Sequence, residues 1–267
     1  MTKWLLVSAA IAVLLMALSF GLGGREEAAL AVVGSNSVQP FAEMLAEAYQ
    51  QAHPGRFVDV QGGGSTVGLQ ATIDGIAEIG MCSRELKKEE EALFRQVMIA
   101  RDGLAIVVHP SNPVSDLAVE EVRRMFTGDV ANWRAVGGED RPIRLVVREE
   151  SSGTREAFMK MVMGKARVSR KAISQDSNGA IKELVKQDAC AIGFMSLGLV
   201  TSELKAVRIE GVPATAANVL AGRYPLVRPF LFVTRGPADE RAEHFIDFVL
   251  SPEGQAVLER EGLVRAR

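Results

Sequence analysis

The sequence predicts an α/β fold in which strands alternate with helices and the sheets are mainly parallel. The order of the segments predicts this fold, and the length and composition of the chain agree with it. An apolar run typical of a strand is followed three times by a turn of small residues and then by a segment with apolar residues at helical spacing. The chain has 267 residues, 48% of them hydrophobic and 24% charged, which is ordinary for a folded protein with one large domain or two small ones.

The first two of these repeats lie near the start of the predicted fold. Residues 29–33 predict a strand and residues 34–37 a turn, after which Pro40 lies in the first turn of a helix. The apolar face of that helix consists of Phe41, Leu45, Tyr49 and Ala52. Residues 57–61 predict the second strand, and residues 62–66 the second turn. The second helix has its apolar face at Leu69, Ile73 and Ile76.

The chain then crosses to a second domain. Residues 104–109 form an apolar, β-branched run that ends in His-Pro, which predicts the first crossing. The second domain has, in chain order, a helix at 119–126, a strand at 143–147, a turn at 148–154, a helix that carries Phe158, Met161 and Val162, a helix that opens at 177–179 and a strand at 190–195. Residues 229–234 predict the strand that returns to the first domain, and helices at 242–250 and 252–261 complete it.

Residues 1–24 predict an export segment. Lys3 is followed by an uncharged, mostly apolar run from residue 4 to residue 24. Because the run is about long enough to span a bilayer, cleavage near Gly24 and retention as a membrane anchor both stay open. No Cys lies in the run or just after it, so a lipoprotein is not supported. We therefore expect an exported, periplasmic or otherwise extracytoplasmic protein.

Composition and residue pattern argue against several classes of protein. The formal net charge is −2 and the chain has no polybasic tract, so we expect no nucleic-acid partner. His, Cys and carboxylate residues are not clustered, so we expect neither a metal site nor a cofactor. The histidines lie outside the serine-bearing turns and no serine lies in a nucleophile elbow, so we expect no enzyme. Cys82 and Cys190 allow one disulfide, and their pairing stays open.

The three small-residue turns predict an anion site. A Gly/Ser turn at the start of a helix presents backbone N–H groups, hydroxyls and the positive end of the helix dipole. Each turn follows a strand, and ligands of open α/β sheets bind at the carboxyl ends of strands. The third turn adds Arg148, a permanent cation with a planar fork of donors that fits a tetrahedral oxyanion. A surface ion pair with Glu149 or Glu150 is the alternative explanation of Arg148.

Six segments carry a resemblance to a known family: GSNSVQPFAEMLAEAYQ, QGGGSTVGLQA, IAEIGMCSREL, FTGDVANW, VVREESSGTREAF and CAIGFMSLG. Together they resemble the phosphate-binding proteins of phosphate ABC transporters, in their shorter bacterial form. The resemblance implies a type II periplasmic-binding-protein fold, with two α/β lobes joined by two crossing strands and a ligand cleft between them. Lobe one would comprise residues 29–109 and 229–267, and lobe two residues 110–228.

The resemblance also implies a ligand, its binding residues and a partner. The implied ligand is inorganic phosphate, and the implied partner is an ABC transporter permease in the inner membrane, with the binding protein a monomer. The implied binding residues are Ser37, the Val38 amide, Ser65, Thr66 and Ser83 from lobe one, and Arg148, Ser152, Gly153 and Thr154 from lobe two. Arg84 is a further candidate cation in this shorter form.

One departure concerns selectivity, because the best-known members of the family have an aspartate where this chain has Ser83. A carboxylate that accepts the proton of phosphate repels fully ionised sulfate, whereas Ser83 adds no negative charge. Discrimination is then weaker, or Glu150 takes the role of proton acceptor. Two alternatives follow: a binder of another oxyanion such as sulfate or molybdate, and a membrane-anchored phosphate sensor of the same fold.

Overall fold

The computed structural model describes residues 28–266, so the predicted export segment, residues 1–24, lies outside the described part of the chain. The strands are Leu30–Gly34 (β1), Val58–Gln61 (β2), Ile79–Cys82 (β3), Arg95–Val108 (β4), Asp116–Leu117 (β5), Arg144–Arg148 (β6), Ile173–Gln175 (β7), Ala191–Ser196 (β8), Lys205–Ala206 (β9), Arg208–Ile209 (β10), Val227–Thr234 (β11) and Val264–Arg265 (β12). The α-helices are Gln39–Ala52 (α1), Ser65–Ile73 (α2), Lys88–Glu91 (α3), Val119–Thr127 (α4), Gly153–Phe158 (α5), Asn178–Gln187 (α6), Ala216–Leu220 (α7), Glu240–Leu250 (α8) and Pro252–Arg260 (α9). None of these helices is both long and apolar enough to cross a membrane.

Ten of the strands form one mixed sheet. Its order is β2-β1-β3-β11-β4-β8-β6-β7, and β9 and β12 pair with β4 outside this path. The pairs of β1 with β2 and β3 are parallel, as are those of β6 with β7 and β8. The antiparallel pairs all involve β4 or β11, which run through the middle of the sheet. The mainly parallel pattern predicted from the sequence therefore applies to the two ends of the sheet.

The long strand β4 joins the two ends. Residues 95–103 pair with β11, whereas residues 104–108 pair with β8. Only the second half is predicted from the sequence, because Arg101 and Asp102 interrupt the apolar residues of the first half. β11 begins at Val227, two residues before the predicted start at Pro229. The two crossing strands are thus paired with each other directly where the chain passes between the ends of the sheet.

Two large hydrophobic cores lie on either side of this crossing. The first contains buried side chains of β1, α1, β3 and the C-terminal helices, among them Phe41, Leu45, Tyr49, Phe230, Phe245 and Leu263. The second contains buried side chains between Leu104 and Leu226, among them Phe126, Trp133, Phe158 and Phe194. We call the parts of the chain around these cores the first lobe and the second lobe. The burial of each apolar face against its own core stabilises each lobe.

The end of α2 and the two cysteines complete the description of the first lobe and its neighbour. Ile76 was expected on the apolar face of the second helix, but α2 ends at Ile73 and Ile76 is 70% exposed. The helix stops because Gly75 adopts φ +71°, a left-handed conformation that glycine tolerates and that ends helices. The two cysteines are unpaired thiols. Burial on β3 raises the pKa of the Cys82 thiol, which lowers its reactivity.

Candidate anion-binding site

The predicted site residues lie at the carboxyl ends of four strands, where the two lobes face each other. In the first lobe, β1 ends before Ser37, β2 ends before the turn to Ser65, and β3 ends directly before Ser83. In the second lobe, β6 ends at Arg148, and the turn after it leads into α5. β1, β2 and β3 are parallel and place their carboxyl ends at one edge of the sheet, which explains why the turns at Ser37, Ser65 and Ser83 meet. β6 belongs to the other end of the sheet, and its turn reaches these serines from the second lobe.

A hydrogen bond between hydroxyls joins the two lobes at the centre of the site. The Oγ atom of Ser37 lies 2.7 Å from Oγ1 of Thr154, and both residues are buried. Nδ2 of Asn178, at the start of α6, donates to Ser37 Oγ at 2.9 Å. Residues 177–179 are predicted from the sequence as a helix start, but Asn178 is not among the predicted site residues. The sequence signal for Asn178 was a Ser-Asn-Gly cluster in front of a helix, which is the same kind of small-residue turn as the other three.

Three buried serines of the first lobe form a second group of hydroxyls. Ser35 Oγ donates to Ser83 Oγ at 2.8 Å, and the Ser83 amide donates to Ser65 Oγ at 3.1 Å. Ser35 was not predicted as a site residue, although it lies in the first turn. Its hydroxyl also accepts the amide N–H of Ser37 at 3.2 Å, so it fixes the shape of that turn. The Val38 amide donates to the Ser35 carbonyl at 3.0 Å and is therefore already used within the turn.

Arg148 is the most buried cation among the predicted residues, with 1% of its surface exposed. Its Nε and Nη2 atoms donate to the two carboxylate oxygens of Glu149, each at 2.9 Å, and Nη2 also donates to the Asp176 carbonyl at 2.9 Å. Within residues 28–266, its Nη1 atom has no hydrogen-bond partner. A buried charged donor without a partner is unfavourable, so this atom is a strong candidate to bind an anion.

Glu150, the predicted alternative proton acceptor, points away from the site. Its side chain is 93% exposed and its nearest cation is Arg155, at 4.0 Å. Arg148 makes its bidentate contact with Glu149, the residue directly after the strand, and not with Glu150. The suggestion that Glu150 accepts a ligand proton is therefore not supported by its position.

The turn after β6 brings the backbone of the second lobe against the serines of the first. Ser152 caps α5, where its Oγ accepts the Arg155 amide at 3.3 Å. A Cβ atom added to Gly153 would lie 2.1 Å from Ser65 Oγ and 2.7 Å from Ser83 Oγ. Only glycine allows this approach, so the close contact of the lobes depends on the missing side chain of Gly153.

Thr66 and Arg84 point to a different group of residues. Oγ1 of Thr66 donates to Glu156 at 3.2 Å, and Nε of Arg84 lies 2.8 Å from the same carboxylate. Arg84 also makes a bidentate contact with Glu90, at 2.7 and 3.0 Å. Successive helical residues point about 100° apart, so Ser65 and Thr66 do not face the same way. These two residues connect the lobes through Glu156, and Arg84 already has carboxylate partners for its charge.

Arg228 is another buried arginine, and it was not predicted as a site residue from the sequence. It lies on β11 directly opposite Asp102 on β4, and only 2% of it is exposed. Its Nη1 atom donates to Thr154 Oγ1 at 2.7 Å and to the Ser83 carbonyl at 3.1 Å. Nε and Nη2 lie 3.0 and 2.9 Å from Oδ2 of Asp102. The sequence signal for Arg228 was a charged residue next to an apolar run. The predicted strand begins at Pro229 and therefore leaves Arg228 out.

Two ion pairs set the electrostatics of this site, a buried one between Arg228 and Asp102 and a partly buried one between Arg148 and Glu149. Burial raises the pKa of the Asp102 carboxyl, against the lowering effect of Arg228 and of the Ser196 hydroxyl. Burial lowers the pKa of Arg228, and the positive charge of Arg148 acts in the same direction. Arginine nevertheless stays charged at neutral pH. Two guanidinium groups near each other with little access to water favour the binding of an anion between or beside them.

A groove of about 880 Å³ opens beside the site and is lined by both lobes, from Asn36 and Glu43 in the first to Glu149 and Lys182 in the second. Asn36 precedes Ser37, and Glu149 pairs with Arg148, so the groove adjoins the buried polar groups. Within residues 28–266, no group of three or more His, Cys, Asp or Glu residues is arranged to hold a metal ion. The site therefore offers hydroxyls, amides and guanidinium groups, which are donors suited to an oxyanion.

Comparisons with known proteins agree with the geometry. The family model described as "PBP superfamily domain" matches residues 23–253. The phosphate-binding protein PstS of Bacillus subtilis is 32% identical over 239 residues, which cover 87% of this chain and 79% of that protein. The protein of the same name from Pseudomonas aeruginosa is 30% identical over 266 residues, which cover 88% and 82% of the two chains.

Solved structures are similar over nearly the same range. A protein from Clostridium perfringens, assigned as a phosphate ABC transporter substrate-binding protein and determined with bound phosphate, is 40% identical with a TM-score of 0.87. The similarity covers 90% of this chain and all of that one. An ABC-type phosphate transport receptor from Vibrio cholerae is 38% identical with a TM-score of 0.76, over 88% of this chain and 99% of that one.

The close approach at Gly153 gives a testable expectation about how the lobes meet. In Gly153→Ala the new methyl group overlaps Ser65 and Ser83, so the lobes should move apart. Small-angle X-ray scattering should then give a larger radius of gyration than for the unmodified protein. Gly179→Ala is the matched control, since its Cβ would lie 3.9 Å from Ser177 Oγ and fits without strain. Equal radii for the two variants would contradict this role of Gly153.

Proposed function

Because the chain belongs to the PBP superfamily and, within it, to the PstS-like phosphate-binding proteins, we propose that it captures inorganic phosphate between its lobes and delivers it to an ABC transporter. The single observation that carries the proposal is the buried Arg148, whose Nη1 atom has no hydrogen-bond partner among the described residues. The hydroxyls of Ser37, Ser65 and Thr154 lie at the same contact between the lobes. Such an array of donors fits the oxygens of a tetrahedral oxyanion.

The proposed phosphate ligands are most of the residues implied by the sequence. They are Arg148 together with Ser37, Ser65, Ser83, Ser152, Gly153 and Thr154, either through hydroxyls or through backbone amides at the helix starts. Arg84 and Thr66 are the predicted ligands that the contacts support least, because both are bonded to Glu156. Val38 would have to give up its bond to the Ser35 carbonyl in order to donate to phosphate.

Binding would proceed by closure of the two lobes about the crossing strands. We propose the lobe boundaries predicted above, residues 29–109 with 229–267 and residues 110–228. The separate hydrophobic cores and the pairing of β4 with β11 support them, although the core contacts favour a crossing nearer residues 103 and 227. Ligand groups come from both lobes, so phosphate would stabilise the closed form over the open one.

The proposed cellular role is that of an exported binding protein. Lys3 and the apolar run after it support export to the periplasm or another extracytoplasmic space, and the partner would be the permease of the transporter in the inner membrane. We propose a monomer without enzymatic activity. The histidines support the absence of enzymatic activity, because His53 and His244 contact Tyr49, and His109 contacts Ser111, rather than a serine of the site.

Phosphate should raise the melting temperature of the protein after bound ligand has been removed. A ligand bound only by the native state contributes RT ln(1 + [L]/Kd), about 2.7 kcal/mol at a hundredfold excess over Kd. For a chain of this length the expected shift is about 5 to 10 °C. A thermal-shift series with phosphate, arsenate, sulfate and molybdate measures selectivity in the same experiment. If sulfate or molybdate raises the melting temperature and phosphate does not, the ligand is that other oxyanion and not phosphate.

Arg148 should contribute more to phosphate affinity than any single hydroxyl. Arg148→Ala should weaken binding by about 2 to 5 kcal/mol, roughly 30-fold to several thousandfold, because the phosphate oxygens lose a buried cation. Arg148→Lys should restore part of the loss, since an ammonium keeps the charge but lacks the planar fork. Ser152→Ala should cost about 1 to 2 kcal/mol. Isothermal titration calorimetry on folded variants measures this order.

The outcome for Arg148→Ala decides the location of the site. If the variant folds, as shown by circular dichroism, and binds phosphate as tightly as the unmodified protein, the site lies elsewhere. Glu150→Gln is a matched control on the same turn, because its carboxylate is exposed and should have little influence on affinity.

Export can be tested by mass spectrometry of the protein from its native membrane and soluble fractions. Cleavage near Gly24 should give a soluble extracytoplasmic chain that begins close to Arg25. An intact segment of residues 1–24 in the membrane fraction would instead favour the anchored sensor.

A further inference from the structure

The crossing strands carry a buried ion pair whose positive end faces the proposed phosphate site. Arg228 and Asp102 are register partners on β11 and β4, at the point where the chain passes between the lobes. Arg228 contacts Thr154 of the second lobe and the Ser83 carbonyl of the first with the same nitrogen atom. We propose that Arg228, held by Asp102, is a second arginine of the phosphate site and positions Thr154 as a hydrogen-bond donor to the anion.

The direction of the hydrogen bonds supports this role. A guanidinium group has donors only, so Thr154 Oγ1 must accept from Arg228. On the other side, Ser37 Oγ accepts from Nδ2 of Asn178. The contact between Ser37 and Thr154 uses one of their two hydroxyl protons. One proton is left, and it can be donated to an anion. Arg228 and Asn178 thus bias the hydroxyl pair towards donation.

Charge supports the same conclusion. Nη1 of Arg228 touches Thr154, whereas the Asp102 carboxylate lies on the Nε and Nη2 side of the guanidinium. The pair is neutral overall, but its dipole presents the positive end to the site. Both partners are almost fully buried, so the field of this dipole is weakly screened. Arg228 therefore adds positive potential to that of Arg148 without adding net charge to the interior.

A structural role alone predicts different behaviour. A buried ion pair between two central strands could simply hold the crossing together, and removal of one partner would then lower stability but not affinity in the folded protein. Removal of both charges separates the two roles. The double variant Asp102→Asn, Arg228→Gln places two uncharged polar side chains opposite each other and leaves no unpaired buried charge.

The inference rests on the proposed function, so the unmodified protein is titrated with inorganic phosphate beside each variant in calorimetry. The double variant, confirmed as folded by its circular dichroism melting curve, should bind phosphate at least about tenfold more weakly. Arg228→Lys keeps the positive charge but has one donor nitrogen where arginine has three. This variant should bind phosphate about threefold to tenfold more weakly than the unmodified protein. Arg95→Gln is the control, because it removes the same charge from the exposed start of β4, where Arg95 pairs with Glu243. It should bind within about twofold of the unmodified protein.

A double-mutant cycle tests whether Arg228 acts through Thr154. Thr154→Val should weaken binding strongly in the unmodified background and much less in the double variant, since Thr154 is no longer oriented there. Equal losses in both backgrounds would overturn the positioning role. Folded double variant and Arg228→Lys proteins that both bind within about twofold of the unmodified protein would overturn the inference and leave the proposed function intact. No phosphate binding by the unmodified protein would overturn the proposed function itself.

Discussion

The buried side chains of Arg148 and Arg228 lie where the lobes meet, and the arrangement of the residues around them follows from the need to keep them paired. A guanidinium group out of water requires a carboxylate and further acceptors. Arg148 has Glu149 and the Asp176 carbonyl, whereas Arg228 has Asp102, Thr154 and the Ser83 carbonyl. Because these acceptors come from both lobes and from the crossing strands, the pairing of two charges fixes how the lobes meet. Among residues 28–266, Nη1 of Arg148 has no hydrogen-bond partner and so can donate to a ligand.

The crossing strands connect folding to function in this arrangement. β4 contributes its first half to the core of the first lobe and its second half to that of the second, and β11 returns the chain, so the first lobe is built from two separate segments. Asp102 lies between these two halves and accepts the hydroxyl of Ser196 in addition to Arg228. A movement of the lobes about this crossing would therefore change the surroundings of Arg228, and with them the orientation of Thr154. Residues at the crossing and residues at the ligand belong to one hydrogen-bonded network.

The sequence predicted the parts of this account that depend on local patterns. The turns at Ser37, Ser65 and Arg148 were found because each places small polar residues between an apolar strand and an amphipathic helix. The residues that were missed depend on register and on contacts between distant segments. Asp102 and Arg228 are 126 positions apart and become neighbours only when β4 pairs with β11. Arg84 was named as a further candidate cation on the family resemblance, and no local pattern shows that Glu90 and Glu156 lie against it.

The central claim is that Nη1 of Arg148, at the contact between the lobes, binds phosphate. A crystal structure of the full chain saturated with phosphate tests it most directly. The account predicts a phosphate oxygen about 3 Å from Nη1, within a closed cleft that Thr154 also contacts. Phosphate bound at another place, with Nη1 bonded to a protein atom instead, would contradict the account.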